Sequence, residues 1–168
     1  YHIDTKCIQS GYQPKNGEAR VLPIYQSTTF RYDSSEHVGK LFDLQEEGFF
    51  YTRLANPTVD CVERKIADLE GGTAAMCTSS GQAATMVAVL NLCNTGDHII
   101  SSGTIYGGTM NLLAVTFARM GIECTFVNSE APLEELQKEI KDNTKLIFAE
   151  SIANPALAVA DIEKLATL

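Results

Sequence analysis

The chain has 168 residues, with 13 Lys and Arg against 21 Asp and Glu, for a formal net charge of -8. That balance, without any basic run, excludes a nucleic-acid surface, which needs clustered cations to face phosphates. Composition (45% hydrophobic, 20% charged) is that of an ordinary globular domain long enough to bury a core. Cys7, Cys61, Cys77, Cys93 and Cys124 are scattered with no C-x-x-C pair, and read as reduced thiols packed as small apolar groups. His2, His37 and His98 add no ligand spacing, so no metal site is expected. The polar stretch from Tyr1 to Arg20 predicts no signal peptide, and no apolar run approaches the ~20 residues of a membrane span. A cytoplasmic protein is the resulting expectation.

In chain order, residues 1–55 read as an N-terminal arm packing on its own domain or on a neighbouring subunit. Leu22–Tyr25 and Thr28–Phe30 suggest short extended pieces, and Glu36–Leu44 one short helix. From Asn56 the pattern becomes regular, and residues 56–168 read as an α/β domain. Asn56-Pro57 supplies an N-cap and a proline at the first helical position. Val59, Val62, Ile66 and Leu69 recur at helical spacing until Gly71-Gly72. Next come a short buried strand (Ala74–Thr78), an apolar helix (Gln82–Leu92), a strand (Asp97–Ser102), a helix (Thr109–Met120) and a strand (Ile122–Val127). An amphipathic helix (Leu133–Ile140), a strand (Lys145–Ala149) and a last helix from Asp161 complete the chain. Four strands alternating with helices predict a mostly parallel sheet, whose ligands sit at the carboxyl ends of the strands.

Four segments near those ends carry candidate chemistry. In Thr78-Ser79-Ser80-Gly81-Gln82-Ala83-Ala84, a helix opens directly after small residues, so its free N–H groups and dipole can hold an anion. A tight turn with no ligand is the alternative. The segment is neither a Walker loop, nor a dinucleotide fingerprint, nor a nucleophile elbow. Tyr106, flanked by Gly107-Gly108, offers an aromatic face for a planar ligand, or merely covers the sheet edge. Glu150 and Asn154 end another strand ahead of Pro155, and Asn154 either donates to a ligand oxygen or bonds its own backbone in a turn. Arg53 suits bidentate phosphate binding, with Tyr51 on the same side of an extended segment. The alternative for Arg53 is a plain surface residue.

Taken in order, Pro23-Ile24-Tyr25-Gln26-Ser27-Thr28-Thr29-Phe30, Tyr51-x-Arg53 with Asn56-Pro57-Thr58, Ser79 to Ala84, Tyr106-Gly107-Gly108-Thr109 and Glu150-Ser151-x-x-Asn154-Pro155 resemble the Cys/Met-metabolism pyridoxal-phosphate (PLP) enzyme family. The resemblance covers nearly the whole chain. It implies the large domain of a fold type I PLP-dependent transferase, preceded by the arm and cut before the catalytic lysine. Tyr51 and Arg53 would reach the PLP phosphate of a neighbouring subunit, with Tyr51 also assisting proton transfers. Ser80, Gly81 and Gln82 would hold the phosphate, the last two through backbone N–H groups. Tyr106 would stack on the pyridine ring, Asn154 would lie near its phenolic oxygen, and Glu150 would organise that strand end. The family's pyridinium-pairing aspartate and Schiff-base lysine both lie beyond the segment found here at residues 161–166, and Lys145 and Lys164 stand in the wrong context to replace the lysine.

Within the family, Gln82, Gly108 and Asn111 look sulfhydrylase-like, implying that O-acetylhomoserine and sulfide give homocysteine and acetate. Methionine γ-lyase, which commonly has a cysteine where Gly108 stands, is the main rival, and a cystathionine γ-synthase or lyase is another. The 168 residues alone are expected to be inactive. A non-catalytic assembly module is the reading from a different class. A homo-oligomer, a dimer of dimers, is also implied.

Overall fold

In the computed structural model, which describes residues 1–168, internal contacts divide the chain into Tyr1–Cys77 and Thr78–Leu168. The first unit contains helices α1 (Ile3–Gln9), α2 (Ser35–Phe42) and α3 (Pro57–Glu70). Helix α3 has the ends its sequence predicts. The Asn56 side chain accepts the Thr58 N–H at 2.9 Å, Pro57 opens the helix, and Gly71 closes it in the left-handed region at φ 67°. Because α3 packs with α1, it falls in the first contact unit, although its periodicity groups it with the α/β pattern that follows.

Helix α1 has no counterpart in the sequence reading, because none of its residues is buried and it therefore shows no apolar stripe. Polar tethers hold it instead. Lys6 Nζ lies 2.7 Å from Asp68 Oδ1, and Ser10 Oγ donates to Asp68 Oδ2 at 2.6 Å. These two bonds to α3, the Lys6 one first, keep the Asp68 carboxyl below its ordinary value. Helix α2 begins at the Ser34 cap and ends earlier than expected, since Leu44 takes φ 55°, a left-handed conformation that cannot continue a helix. Near it Leu41 and Phe50 are buried, and the Phe42 and Phe50 rings lie 4.6 Å apart.

Residues 74–78 correct the sequence reading. They form no strand, and Met76 is 63% exposed. A strand exists only through pairing, and no segment of this chain pairs with this one; the Cys77 N–H donates instead to the Glu63 carboxylate at 2.8 Å.

The second unit runs α4 (Gly81–Leu92), β1 (His98–Ser102), α5 (Gly107–Asn111), β2 (Glu123–Val127), α6 (Leu133–Lys138), β3 (Thr144–Phe148) and α7 (Ile162–Ala166). The sheet has three strands rather than four, all parallel, in the order β2-β1-β3. Paired on both edges, β1 is buried at all five residues, the polar His98, Ser101 and Ser102 included. The helix predicted from Thr109 starts earlier, at Gly107, and widens into a π-helical turn at Leu112–Phe117. Leu113 and Phe117 from that turn join Val89, Cys93, Ile99, Ile105 and Ile122 in the core. Burial pushes the Cys124 thiol up to about 11 and raises that of Cys93, which disfavours the thiolate at both.

His98 sits at the amino end of β1 with no exposed surface. Its Nδ1 lies 2.8 Å from Thr144 Oγ1 on β3, and its Nε2 lies 2.8 Å from Thr125 Oγ1 on β2. Burial, with Lys141 nearby, lowers its pKa below the ordinary value of 6.5, while Glu123 and Glu139 oppose the shift. The unfolded chain therefore takes up a proton at this position before the folded one does. Stability from His98 is complete above about pH 6.5 and falls as pH drops below that value. Urea unfolding of the full-length protein at pH 7.5 and 5.5 should show a lower midpoint at pH 5.5, with a smaller drop in His98→Gln. An equal drop in that variant would assign the pH dependence to other groups.

Candidate functional site

Parallel register brings the carboxyl ends of β1, β2 and β3, at Ser102, Val127 and Phe148, to one edge of the sheet. Three of the predicted segments belong to this unit. At the start of α4, Ser80 is the N-cap: its Oγ accepts the Ala83 N–H at 3.1 Å and its carbonyl accepts the Ala84 N–H at 3.0 Å. The N–H groups of Gly81 and Gln82 find no acceptor in the chain. A Cβ built on Gly81 would meet nothing within 4 Å, and both residues are exposed. Two unpaired donors on exposed residues at the positive end of a twelve-residue helix fit a phosphate. The Gln82 side chain is committed elsewhere, its amide donating to the buried Thr109 Oγ1 at 3.1 Å, which ties α4 to α5.

Tyr106 follows β1 and caps α5 without a side-chain bond. Its N–H donates to Glu150 Oε1 at 3.0 Å, joining the loop after β1 to the end of β3. The residue is 48% exposed. Asn154 is exposed in the loop after β3, where Ile152 and Val159 form an antiparallel bridge. Its side chain makes no hydrogen bond within the chain, so the self-bonded turn residue weighed above does not occur. Lys164 Nζ donates to the Ala131 carbonyl at 3.1 Å, a structural tether.

Tyr51 and Arg53 lie in the first unit. They correct one detail of the sequence reading: Tyr51 to Leu54 is a turn, with the Tyr51 carbonyl accepting the N–H groups of Leu54 and Ala55, and is not an extended segment. The two side chains meet all the same, with Arg53 Cζ 5.1 Å from the centre of the Tyr51 ring. The turn is anchored by Asn56 and Thr58, which the sequence reading sets beside Tyr51 and Arg53 without any contact to them, and by Thr52. Buried Asn56 donates from Nδ2 to the Tyr25 carbonyl and to Thr52 Oγ1, both at 3.0 Å. Thr58 Oγ1 accepts the Tyr25 N–H at 2.9 Å, and Thr52 Oγ1 donates to the Ser27 carbonyl. Two short polar residues flanking Pro57, with Thr52 five positions before it, were the available signal for this anchor.

A family model described as Cys/Met metabolism PLP-dependent enzyme matches residues 4–168. The O-acetyl-L-homoserine sulfhydrylase of Corynebacterium glutamicum is 46% identical over 98% of the chain and 38% of its own length. The homocysteine/cysteine synthase of Kluyveromyces lactis is 44% identical over 98% of the chain and 37% of its own length. The chain thus spans little more than a third of the curated relatives it matches. Among solved structures, one from Campylobacter jejuni, given as an O-acetylhomoserine (thiol)-lyase, carries a pyridoxyl-lysine. It superposes with a TM-score of 0.90 at 37% identity, over 99% of this chain and 41% of its own. A cystathionine γ-lyase from Lactobacillus plantarum, with L-serine, gives 0.85 at 31% identity, over 99% and 41%. Motifs, fold and similarity agree: this chain has the α/β fold of the fold type I PLP enzymes and belongs to the Cys/Met-metabolism PLP-dependent enzyme family.

Proposed function

We propose that the full-length protein joins sulfide to O-acetylhomoserine, giving homocysteine and acetate. The observation that carries this reading is the 46% identity to a sulfhydrylase across 98% of the chain. PLP, when bound, supplies an electron sink that stabilises negative charge on the substrate carbons. This chain's residues do the holding. Gly81 and Gln82 donate backbone N–H groups to the phosphate, with the Ser80 hydroxyl beside them. Tyr106 stacks on the cofactor ring, Glu150 fixes the Tyr106 backbone, and Asn154 reaches the ring's oxygen. Residues 1–55 act as an arm that offers Tyr51 and Arg53 to a neighbouring subunit's phosphate. Tyr51 helps to move protons there.

The smallest active assembly is then a dimer, built into a dimer of dimers in the cytoplasm. Assay of the full-length protein tests the activity. Homocysteine and acetate from O-acetylhomoserine and sulfide are expected, whereas much faster release of methanethiol and 2-oxobutyrate from methionine would replace this reading with that of a lyase. Arg53→Ala should weaken PLP retention by about ten- to hundredfold, the worth of a charge-assisted hydrogen bond. Unchanged occupancy on dialysis would remove Arg53 from the phosphate.

A further inference from the structure

Two contacts around Tyr106 go beyond its assignment as a stacking residue. A Cβ built on Gly108 would stand 2.5 Å from Cε1 of the Tyr106 ring and 3.2 Å from Cδ1 and Cζ, and these ring atoms are its three nearest neighbours. Gly108 does not lie in the left-handed region, so its backbone accepts any residue. Glycine is a poor helix former at such a position. In this pose the ring fills the place a side chain at 108 would take, so a larger residue there goes with a turned ring. Gly107 makes the contrast, since a Cβ there would meet nothing within 4 Å. Meanwhile the Tyr106 N–H is held by Glu150 Oε1 at 3.0 Å, and its carbonyl accepts the Met110 N–H at 2.9 Å. The backbone of this half-exposed tyrosine is pinned on both sides while its ring rests on a bare α-carbon.

We propose that Gly108 and Glu150 are positioning residues that set the plane and height of the Tyr106 ring, and through it the pose of the planar cofactor. This rests on the PLP reading above. A methyl group at position 108 turns the ring by its own torsions and leaves the core untouched, because the atoms in its way belong to a partly exposed side chain. Loss of the Glu150 carboxylate frees the Tyr106 N–H and loosens the loop, whereas a glutamine still presents an oxygen to accept it.

The test compares full-length wild type with Gly107→Ala, Gly108→Ala, Glu150→Ala and Glu150→Gln. Visible circular dichroism of bound PLP, its release rate and the unfolding midpoint are recorded for each. The expected result is an altered cofactor band and about tenfold faster release for Gly108→Ala and Glu150→Ala. Gly107→Ala and Glu150→Gln should follow wild type, and midpoints should not separate the two groups. A PLP-loaded Gly108→Ala with wild-type band and release would overturn the proposal. So would a Gly107→Ala that shifts the band equally. If Gly108→Ala does not fold, the Glu150 pair decides: separated spectra support the seat, and equal ones overturn it. Wild-type protein that takes up no PLP would instead overturn the cofactor reading itself.

Discussion

Gly81→Asp is expected to leave the protein folded and to weaken PLP binding by about a thousandfold. Nothing in the chain lies within 4 Å of the added Cβ, and the Ser80 cap does not involve residue 81's side chain. A carboxylate in the first turn of α4 also suits the helix dipole, so the unfolding midpoint should hold or rise slightly. The same carboxylate occupies the space before the Gly81 and Gln82 N–H groups and repels a phosphate there. Two charges ~4 Å apart at an effective dielectric of ~20 interact by about 4 kcal/mol, on the order of a thousandfold in affinity. Fluorescence titration with PLP measures the loss, and Gly81→Asn separates charge from bulk. Affinity close to wild type in Gly81→Asp would move the phosphate away from α4.

Phe117→Ala should cost about 3–5 kcal/mol, a large part of a typical domain's ~5–15 kcal/mol. Phe117 has no exposed surface and belongs to the cluster with Ile99, Ile105, Leu113 and Ile122. Truncation leaves a cavity under the sheet that these neighbours cannot collapse to fill. Val115→Ala lies in the same π-helical turn at 39% exposure and should cost under about 1 kcal/mol, much less than the core change. Denaturant midpoints of the two variants compare them directly. Similar losses would mean that the turn, and not the core, sets the sensitivity.

What could be read from sequence follows from how local each determinant is. The cap at Asn56, the proline after it and the left-handed Gly71 act within a few residues, so α3 was legible to its ends. The apolar run made α4 nearly as plain, although the helix starts at Gly81 behind the Ser80 cap, one residue before the expected Gln82. Residues 74–78 show the other case: their composition suits a strand, but pairing is a property of two segments. Helix α1 was invisible because its determinant, Asp68, lies 62 residues from Lys6. The π-helical turn escaped notice since hydrogen-bond register leaves no mark on apolar periodicity. In the candidate site, residue types were legible and their contacts were not. Glu150 and Tyr106 are 44 residues apart and meet only through the pairing of β3 beside β1. The Tyr51–Arg53 contact survived a wrong backbone prediction, because a turn juxtaposes the two side chains as well as an extended segment would.

The placement of β1 between β2 and β3 also sets an order of events during synthesis. Its residues 98–102 leave the ribosome before either partner strand has emerged. The most buried of the three strands is therefore the first made, and it stays unpaired until the other two emerge. Its hydrogen-bonding edges and its Ile99 and Ile100 side chains wait for residues 123–127 and then 144–148 to emerge. Such non-local parallel pairing is slow, and exposed edges of this kind are what chaperones shield on a nascent chain.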